Sequence, residues 1–151
     1  MPELPEAEVA ARQLRERVVG ATVRDCWIGR EDIVREGLPS LDQYRQAKIA
    51  GVERKGKSVI LHFLCGKEPR LLVAELGMTG LLLFRSTLTK HPQHTHFILH
   101  LDGCCEPDIR YWNPRRFGRL SLLDWAGLDR YVARRCGHDP GHDRQRPALR
   151  K

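Results

Sequence analysis

The chain has 151 residues, and 26 lysines and arginines against 19 aspartates and glutamates give it a formal net charge of +7. Hydrophobic residues make up 41% and charged residues 30%, a globular balance that excludes a chain disordered along its whole length or a collagen-like repeat. The length suits one domain with a real core and is too short for two. The positive charge, with a pI near 9.5, favours a polyanionic partner without identifying one.

The sequence lacks the features of membrane, secreted and zinc proteins. No apolar run approaches the roughly 20 residues that span a bilayer, and residues 1–6 show no secretory pattern, so we expect a cytoplasmic protein with no membrane partner. No Cys-x-x-Cys pair and no four-ligand Cys/His set occurs, so we expect no metal site and no cofactor. The cysteines, expected to be reduced thiols, are Cys26, Cys65, Cys104, Cys105 and Cys136.

The N-terminal third predicts mixed secondary structure. Apolar residues on one face predict a helix over residues 5–19, ended by Gly20. Residues 21–28 predict a strand. Ser40 with Gln43 three positions later resembles a capping box, which predicts a short helix toward Ala50.

From residue 51 onward, short β-rich runs predict an antiparallel sheet. Asp102-Gly103 predicts a tight hairpin turn, and residues 128–136 predict a last helix. The expected fold class is therefore α+β, an antiparallel β-sandwich or barrel flanked by an N-terminal helix and a further short helix or two. Residues 1–140 form the expected domain, with 141–151 as a loose tail or the start of a linker. The predicted strands are 58–64, 70–76, 80–84, 94–101, 109–112 and 118–122.

The first six residues are chemically unusual. Initiator Met is removed when the second residue is small, and Pro2 would then carry a free secondary amine with a pKa of roughly 8. Such an amine can attack an aldehyde-like sugar C1′ and form an iminium, while Glu3 and Glu6 shuttle protons. The alternative is an ordinary helix start, where proline and glutamate are common.

Three further segments are candidates for nucleic-acid contact. Lys57, which follows Arg54-Lys55-Gly56, fits a phosphate-binding or proton-transfer turn, or else a solvated hairpin end. Residues 112–119 place three arginines around Phe117, and Met78 lies between glycines in residues 76–80, so both apolar side chains could wedge between bases. Their alternative is ordinary core packing. Phosphate contact or strand packing is also expected for His94, His96 and His100, which share one strand face.

The motifs Pro2-Glu3-Leu4-Pro5-Glu6, Arg54-Lys55-Gly56-Lys57, Leu76-Gly77-Met78-Thr79-Gly80 and Pro114-Arg115-Arg116-Phe117-Gly118 occur in this order along the chain. Together they resemble the formamidopyrimidine-DNA glycosylases over residues 2 to about 140. Leu4 favours this branch over the endonuclease VIII branch. The resemblance implies a bacterial, nucleoid-associated DNA-repair enzyme whose partner is double-stranded damaged DNA.

The resemblance also implies roles for individual residues. Pro2 matches the Schiff-base nucleophile, Glu3 the proton donor, Glu6 a catalytic carboxylate and Lys57 the lysine of β-elimination. His94 and Arg115 match DNA-binding positions. The residues that match the trio filling the gap left by a flipped-out nucleotide are Met78, Arg115 and Phe117.

Two residues and a missing region depart from the family pattern. Glu75 stands where a phosphate-contacting histidine is common, and its carboxylate is expected to repel the DNA backbone. Asn113 replaces a usual aspartate. The family's helix–two-turn–helix domain and zinc finger are expected to be absent from these 151 residues.

Three functions remain open at this point. The leading interpretation is a bifunctional DNA glycosylase/AP lyase domain acting on oxidised purines such as 8-oxoguanine and formamidopyrimidines. The alternatives are a non-catalytic relative that binds abasic or damaged DNA, and a general basic RNA-binding domain.

Overall fold

The computed structural model describes residues 6–77, 80–84, 94–104, 106–115 and 119–135. The helices in these ranges are α1 (Glu6–Arg17), α2 (Trp125–Arg135) and the 3₁₀ segments Glu31–Ile33 and Leu38–Tyr44. The strands are β1 (Thr22–Ile28), β2 (Val34–Glu36), β3 (Lys48–Lys55), β4 (Ser58–Cys65), β5 (Glu68–Glu75), β6 (Leu81–Phe84), β7 (Thr95–Asp102), β8 (Asp108–Trp112) and β9 (Leu120–Leu123).

These strands form one sheet in the order β2-β9-β5-β4-β3-β1-β7-β8-β6. Every pairing is antiparallel except that of β2 with β9. The Tyr111 hydroxyl on β8 donates a 2.6 Å hydrogen bond to the Glu75 carbonyl on β5, five places away in the sheet. This contact shows that the sheet curves back on itself. The predicted α+β class, an antiparallel β-structure with flanking helices, is confirmed.

Helix α1 packs across the main core. Its apolar stripe includes Ala7, Ala11 and Leu14, each no more than 2% exposed, and it contacts β3, β4 and β6. The chain leaves the helix through Gly20, whose φ of +97° is a left-handed conformation that favours glycine. The helix predicted from the apolar spacing is therefore present, and it ends at Arg17, two residues before the predicted end.

Helix α2 covers the opposite face of β4, β5 and β9 through a second apolar cluster that includes Ile60, Val73 and Leu128. Asp124 begins it by accepting the Gly127 N–H at 2.8 Å. Tyr131, 1% exposed, shares a 2.9 Å hydrogen bond with the buried Ser58 hydroxyl on β4.

Two local predictions were wrong. The helix expected over 40–50 is a 3₁₀ helix that ends at Tyr44, and Lys48–Lys55 is a strand, because Ile49 and Val52 are buried as β3 pairs with β4. The tight Asp102-Gly103 turn is a five-residue connection, since β8 begins only at Asp108. The predicted tail lies outside the described residues, and no helix among those described is long and apolar enough to cross a membrane.

Two glycines in left-handed backbone provide a test of the packing. A Cβ on Gly37 (φ +90°) would lie 2.1 Å from the Leu122 carbonyl oxygen, whereas a Cβ on Gly66 (φ +68°) meets nothing within 4 Å. We expect Gly37→Ala to lower the free energy of unfolding by about 2–4 kcal/mol and Gly66→Ala by about 1 kcal/mol, because only the first adds overlap to backbone strain. Urea unfolding of both variants measures the difference; equal losses would contradict the close approach at Gly37.

Candidate functional site

The Lys57 turn joins β3 to β4 at one end of the sheet. Gly56 occupies a left-handed conformation with φ of +59°, and Lys57 follows it with an exposed side chain. The Lys57 carbonyl accepts the Leu76 N–H at 3.0 Å, which fixes the turn to the segment that leaves β5. The basic turn predicted from the sequence therefore lies directly beside the predicted 76–80 loop.

Arg54 connects this turn to the beginning of α1. Its guanidinium donates to the Gly56 carbonyl at 2.9 Å and to the Glu8 carboxylate at 2.8 Å. The Arg54 hydrogen bond, with a second from Arg12, lowers the pKa of Glu8. Glu6 is the first residue of α1, two positions before Glu8, so the backbone of the predicted catalytic carboxylate lies near the Lys57 turn.

Of the predicted catalytic residues, Pro2 and Glu3 lie outside the described residues, as do the predicted wedge residues Met78 and Phe117. The base of the 76–80 loop is described. Gly80 donates its N–H to the Leu76 carbonyl at 2.7 Å, and a Cβ on Gly80 would lie 2.7 Å from both that oxygen and the Asn113 side-chain nitrogen. A side chain at position 80 would therefore displace Asn113.

Asn113 is 1% exposed and connects the surrounding segments. Its Nδ2 donates to the Tyr111 hydroxyl at 2.9 Å, and that hydroxyl donates to the Glu75 carbonyl at 2.6 Å. Burial raises the pKa of Tyr111 to about 12, so the phenol remains protonated and keeps its donor at neutral pH. The strand that ends at Trp112 is thus fastened to the end of β5.

The same asparagine orders the two predicted DNA-contacting residues. Its Oδ1 accepts the Arg115 N–H at 3.0 Å, and its backbone N–H donates to the His94 carbonyl at 2.9 Å. The ring of buried His96 donates from Nε2 to the Asn113 carbonyl at 2.7 Å, and burial lowers the His96 pKa. Arg115 is exposed, and His94 packs edge-on against Trp112 with ring centroids 5.6 Å apart.

Glu75 is the second position that departed from the expected pattern. Its carboxylate is 14% exposed and pairs with the Arg35 guanidinium through one oxygen and, at 3.8 Å, with Arg119 through the other. The negative charge expected to repel DNA is therefore compensated by two arginines. Sequence reasoning missed Arg35 and Tyr111, since nothing in the spacing indicated partners 40 and 36 residues away.

Four of the eight predicted site residues can be placed: Glu6 by its backbone, and Lys57, His94 and Arg115 with their side chains. Contacts through Arg54, Leu76, Asn113 and Tyr111 join the segments that carry them into one connected group. Within the described ranges, no group of three or more His, Cys, Asp or Glu side chains is arranged to hold a metal ion.

Residues 1–120 match the family model of the formamidopyrimidine-DNA glycosylase N-terminal domain. The chain belongs to this family. The resemblance inferred from the four motifs is thereby confirmed.

Relatives within the family support this membership. Formamidopyrimidine-DNA glycosylase of Thermomicrobium roseum is 36% identical over 154 residues, an alignment that covers 93% of this chain and 52% of the relative. The Methylobacillus flagellatus protein of the same name is 40% identical over 130 residues, covering 84% of this chain and 42% of that protein. The chain thus spans about half the length of these glycosylases.

Solved structures support the fold. The Lactococcus lactis formamidopyrimidine-DNA glycosylase, crystallised non-covalently bound to DNA with an AP site, aligns with a TM-score of 0.68 and 24% identity over 88% of this chain and 49% of that one. A second complex of that enzyme with abasic-site DNA gives a TM-score of 0.71 and 23% identity over 88% and 48%.

The Asn113 network yields a prediction about the residue usual in this glycosylase family. In Asn113→Asp the carboxylate cannot donate to the Tyr111 hydroxyl, so we expect a loss of about 1–3 kcal/mol of unfolding free energy at pH 7. Burial raises the pKa of the new carboxyl above its unfolded value of about 3.9. The loss of unfolding free energy is therefore largest at pH values above the pKa of this carboxyl in the folded state, and it becomes smaller as the pH falls through that pKa.

Urea unfolding at pH 7 and at pH 4 measures this dependence. Gln43→Glu, the same change in charge at an exposed position, is the matched control and is expected to be nearly neutral. A deficit in Asn113→Asp that is equal at both pH values would show that the Asn113 amide is not acting as a buried donor.

Proposed function

We propose that this chain is the catalytic N-terminal part of a base-excision-repair DNA glycosylase/AP lyase that acts on oxidised purines in double-stranded DNA. The observation that carries the proposal is the match to the family over residues 1–120, which contain every residue the mechanism needs. The Lys57 turn, the beginning of α1 and the Asn113 network form a connected site that agrees with it.

The structural relatives support the substrate class. They were crystallised with DNA that contains an AP site, a Fapy-dG or a carbocyclic 8-oxo-G. A flipped 8-oxoguanine or formamidopyrimidine nucleotide is therefore the proposed substrate of this chain. The net charge of +7 favours association with the DNA backbone through release of counterions.

In the proposed mechanism the neutral amine of Pro2 attacks C1′ of the damaged nucleotide. The N–C1′ bond forms as the bond from C1′ to the base breaks, and the base leaves with a proton delivered through Glu3. The proline nitrogen gives up its proton, and the C1′–O4′ bond then breaks as O4′ takes a proton through Glu3, so that the ring-opened sugar remains as an iminium on Pro2. Glu6 is the proposed carboxylate that holds or relays a proton beside the amine.

The iminium acidifies the C2′–H bond, so removal of that proton expels the 3′ phosphate in β-elimination. A second elimination releases the 5′ phosphate, and hydrolysis of the iminium frees Pro2. Lys57 is proposed to assist β-elimination, because its exposed side chain extends from a turn that Arg54 connects to α1. Its ammonium is also suited to a backbone phosphate.

Base flipping leaves a gap in the stack that must be filled. Met78, Arg115 and Phe117 are the residues proposed to fill it, with His94 contacting the backbone nearby. The described bases of both loops favour this assignment, since Asn113 touches Gly80, His94 and Arg115 within one network.

Pro2 is expected to be the covalent nucleophile. Borohydride reduction in the presence of abasic DNA should cross-link the protein whose mass shows that Met1 is removed. Pro2→Gln should give no cross-link, because a large second residue retains Met1 and no proline amine is exposed. Lys57→Arg is the matched control: it keeps the nucleophile and should still be trapped.

Equal trapping of Pro2→Gln and wild type would contradict the assignment of Pro2 as the covalent nucleophile. Binding of abasic duplex without any trapping of the wild type would favour the non-catalytic alternative, a relative that binds abasic or damaged DNA. Preference for RNA over abasic duplex would favour the general RNA-binding alternative.

The 151-residue chain is expected to cleave abasic sites far better than it excises a base. An abasic site already presents an aldehyde, whereas excision requires flipping, which costs a few kcal/mol, and a pocket that the family resemblance assigns largely to sequence beyond these residues. We expect 8-oxoguanine excision to be slower than AP-site cleavage by about 100-fold or more. Parallel single-turnover assays on matched duplexes measure the ratio. Comparable rates would show that these residues build the pocket themselves.

A further inference from the structure

Glu75, Arg35 and Arg119 form a three-membered ion cluster, here called the Glu75 cluster. The two carboxylate oxygens face different partners: Oε2 pairs with Nη1 of Arg35, and Oε1 lies 3.8 Å from Nη1 of Arg119. In the described part of the chain, neither arginine is paired with a second carboxylate. Two guanidiniums therefore share one negative charge, and the cluster carries an excess of one positive charge.

The cluster also retains unused donors. A guanidinium has five N–H groups, of which a single carboxylate oxygen engages few. The Nε of Arg119 is buried and has no hydrogen-bond partner among the described residues. Both arginine side chains are 24% exposed, which is enough for a ligand at the surface to reach them. A planar guanidinium with spare donors matches the oxygens of a phosphate.

Backbone hydrogen bonds place the Glu75 cluster beside the proposed catalytic turn. The Glu75 N–H donates to the Arg119 carbonyl at 2.8 Å, and the next N–H, that of Leu76, donates to the Lys57 carbonyl. Arg119 in turn donates its N–H to the Ile33 carbonyl at 2.8 Å, two residues before Arg35. The two arginines and Lys57 thus surround the end of β5.

We propose that Arg35 and Arg119 form a binding site for a DNA backbone phosphate, with Glu75 as the positioning residue that holds both guanidiniums. The inference rests on the proposed function, since it assumes that the Lys57 face meets DNA. The Glu75 carboxylate, expected from the sequence to repel DNA, instead orients two cations, and the net positive charge of the cluster still attracts one phosphate.

A purely structural ion cluster makes different predictions from a phosphate site. Loss of a structural pair lowers stability and leaves the salt dependence of DNA binding unchanged. Loss of a phosphate contact reduces the slope of log K against log salt by about one. It also makes the binding affinity insensitive to the charge of the phosphate that was contacted. Simple charge counting also predicts that Glu75→Gln tightens binding, whereas loss of the positioning carboxylate does not.

The experiment measures binding of the 151-residue chain to a duplex with a tetrahydrofuran abasic analogue, at several salt concentrations. A second series replaces single phosphates near the analogue with neutral methylphosphonates. The variants are Arg119→Ala, Arg119→Lys, Arg35→Ala and Glu75→Gln, each checked for folding by thermal unfolding. Arg24→Ala is the matched control, because Arg24 is an exposed arginine on β1 that pairs with Asp102 at the end of β7.

We expect Arg119→Ala and Arg35→Ala to weaken binding about tenfold and to lower the salt slope by about one. One methylphosphonate should weaken wild type by a similar factor and have little further effect in these two variants. Arg119→Lys keeps the positive charge but loses the planar guanidinium, so its DNA affinity should lie between those of wild type and Arg119→Ala. Glu75→Gln should bind no more tightly than wild type, and Arg24→Ala should retain the methylphosphonate effect.

If no phosphate shows this coupling, or if Glu75→Gln binds more tightly than wild type, the inference is overturned while borohydride trapping at Pro2 stands. Coupling without trapping would instead retain the phosphate site and overturn the proposed catalysis. A wild-type chain that does not bind the duplex overturns both.

Discussion

The arrangement of the site depends on one buried amide. Asn113 donates to Tyr111, accepts from Arg115, and holds His94 and His96 through its own backbone. Each hydrogen bond contributes about 1 kcal/mol, so their effect on total stability is moderate. Their effect on position is larger, because a buried side chain with every group satisfied has one allowed arrangement. The described ends of the flanking loops, at Gly80 and Arg115, are thereby held in one arrangement.

A second connection runs from Arg54 to Glu8 and differs in strength. The Arg54 and Glu8 side chains are 34% and 19% exposed, so solvent screens their attraction and the ion pair adds little to stability. Burial of Ala11, Leu14 and Val18 is what holds α1 against the sheet, since each buried apolar side chain contributes more than the ion pair. Arg54 therefore selects the orientation of the first helical turn relative to the Lys57 turn. The proposed chemistry depends on that orientation more than on the strength of the pair.

The sequence predicted local elements well where a pattern repeats within the element. The strand at 58–64 and the helix at 5–19 have clear apolar runs, and both are present. Residues 40–50 misled the prediction, since Ser40 and Gln43 imitate a helix cap while strand pairing determines the structure of 48–55. The site motifs were found through the family resemblance. Asn113 stood out as a departure, but its partners did not, because His94 and His96 reach it only when β7 pairs with β8. The Tyr111–Glu75 contact joins residues 36 apart along the chain, which meet only after the sheet curves.

The distribution of charge explains how a carboxylate is tolerated at the end of β5. Away from the site, arginines are paired with acidic residues, as in the pairs Arg17–Glu106, Arg24–Asp102, Arg30–Asp32, Arg45–Asp25 and Arg110–Asp108. At the site, arginines outnumber the carboxylates that pair with them. Glu75 is shared by two arginines, and exposed Arg115 is paired with no carboxylate among the described residues. The overall excess of +7 is therefore not a uniform field. Part of it is concentrated beside Lys57, where Glu75 determines the direction in which two of the cations point.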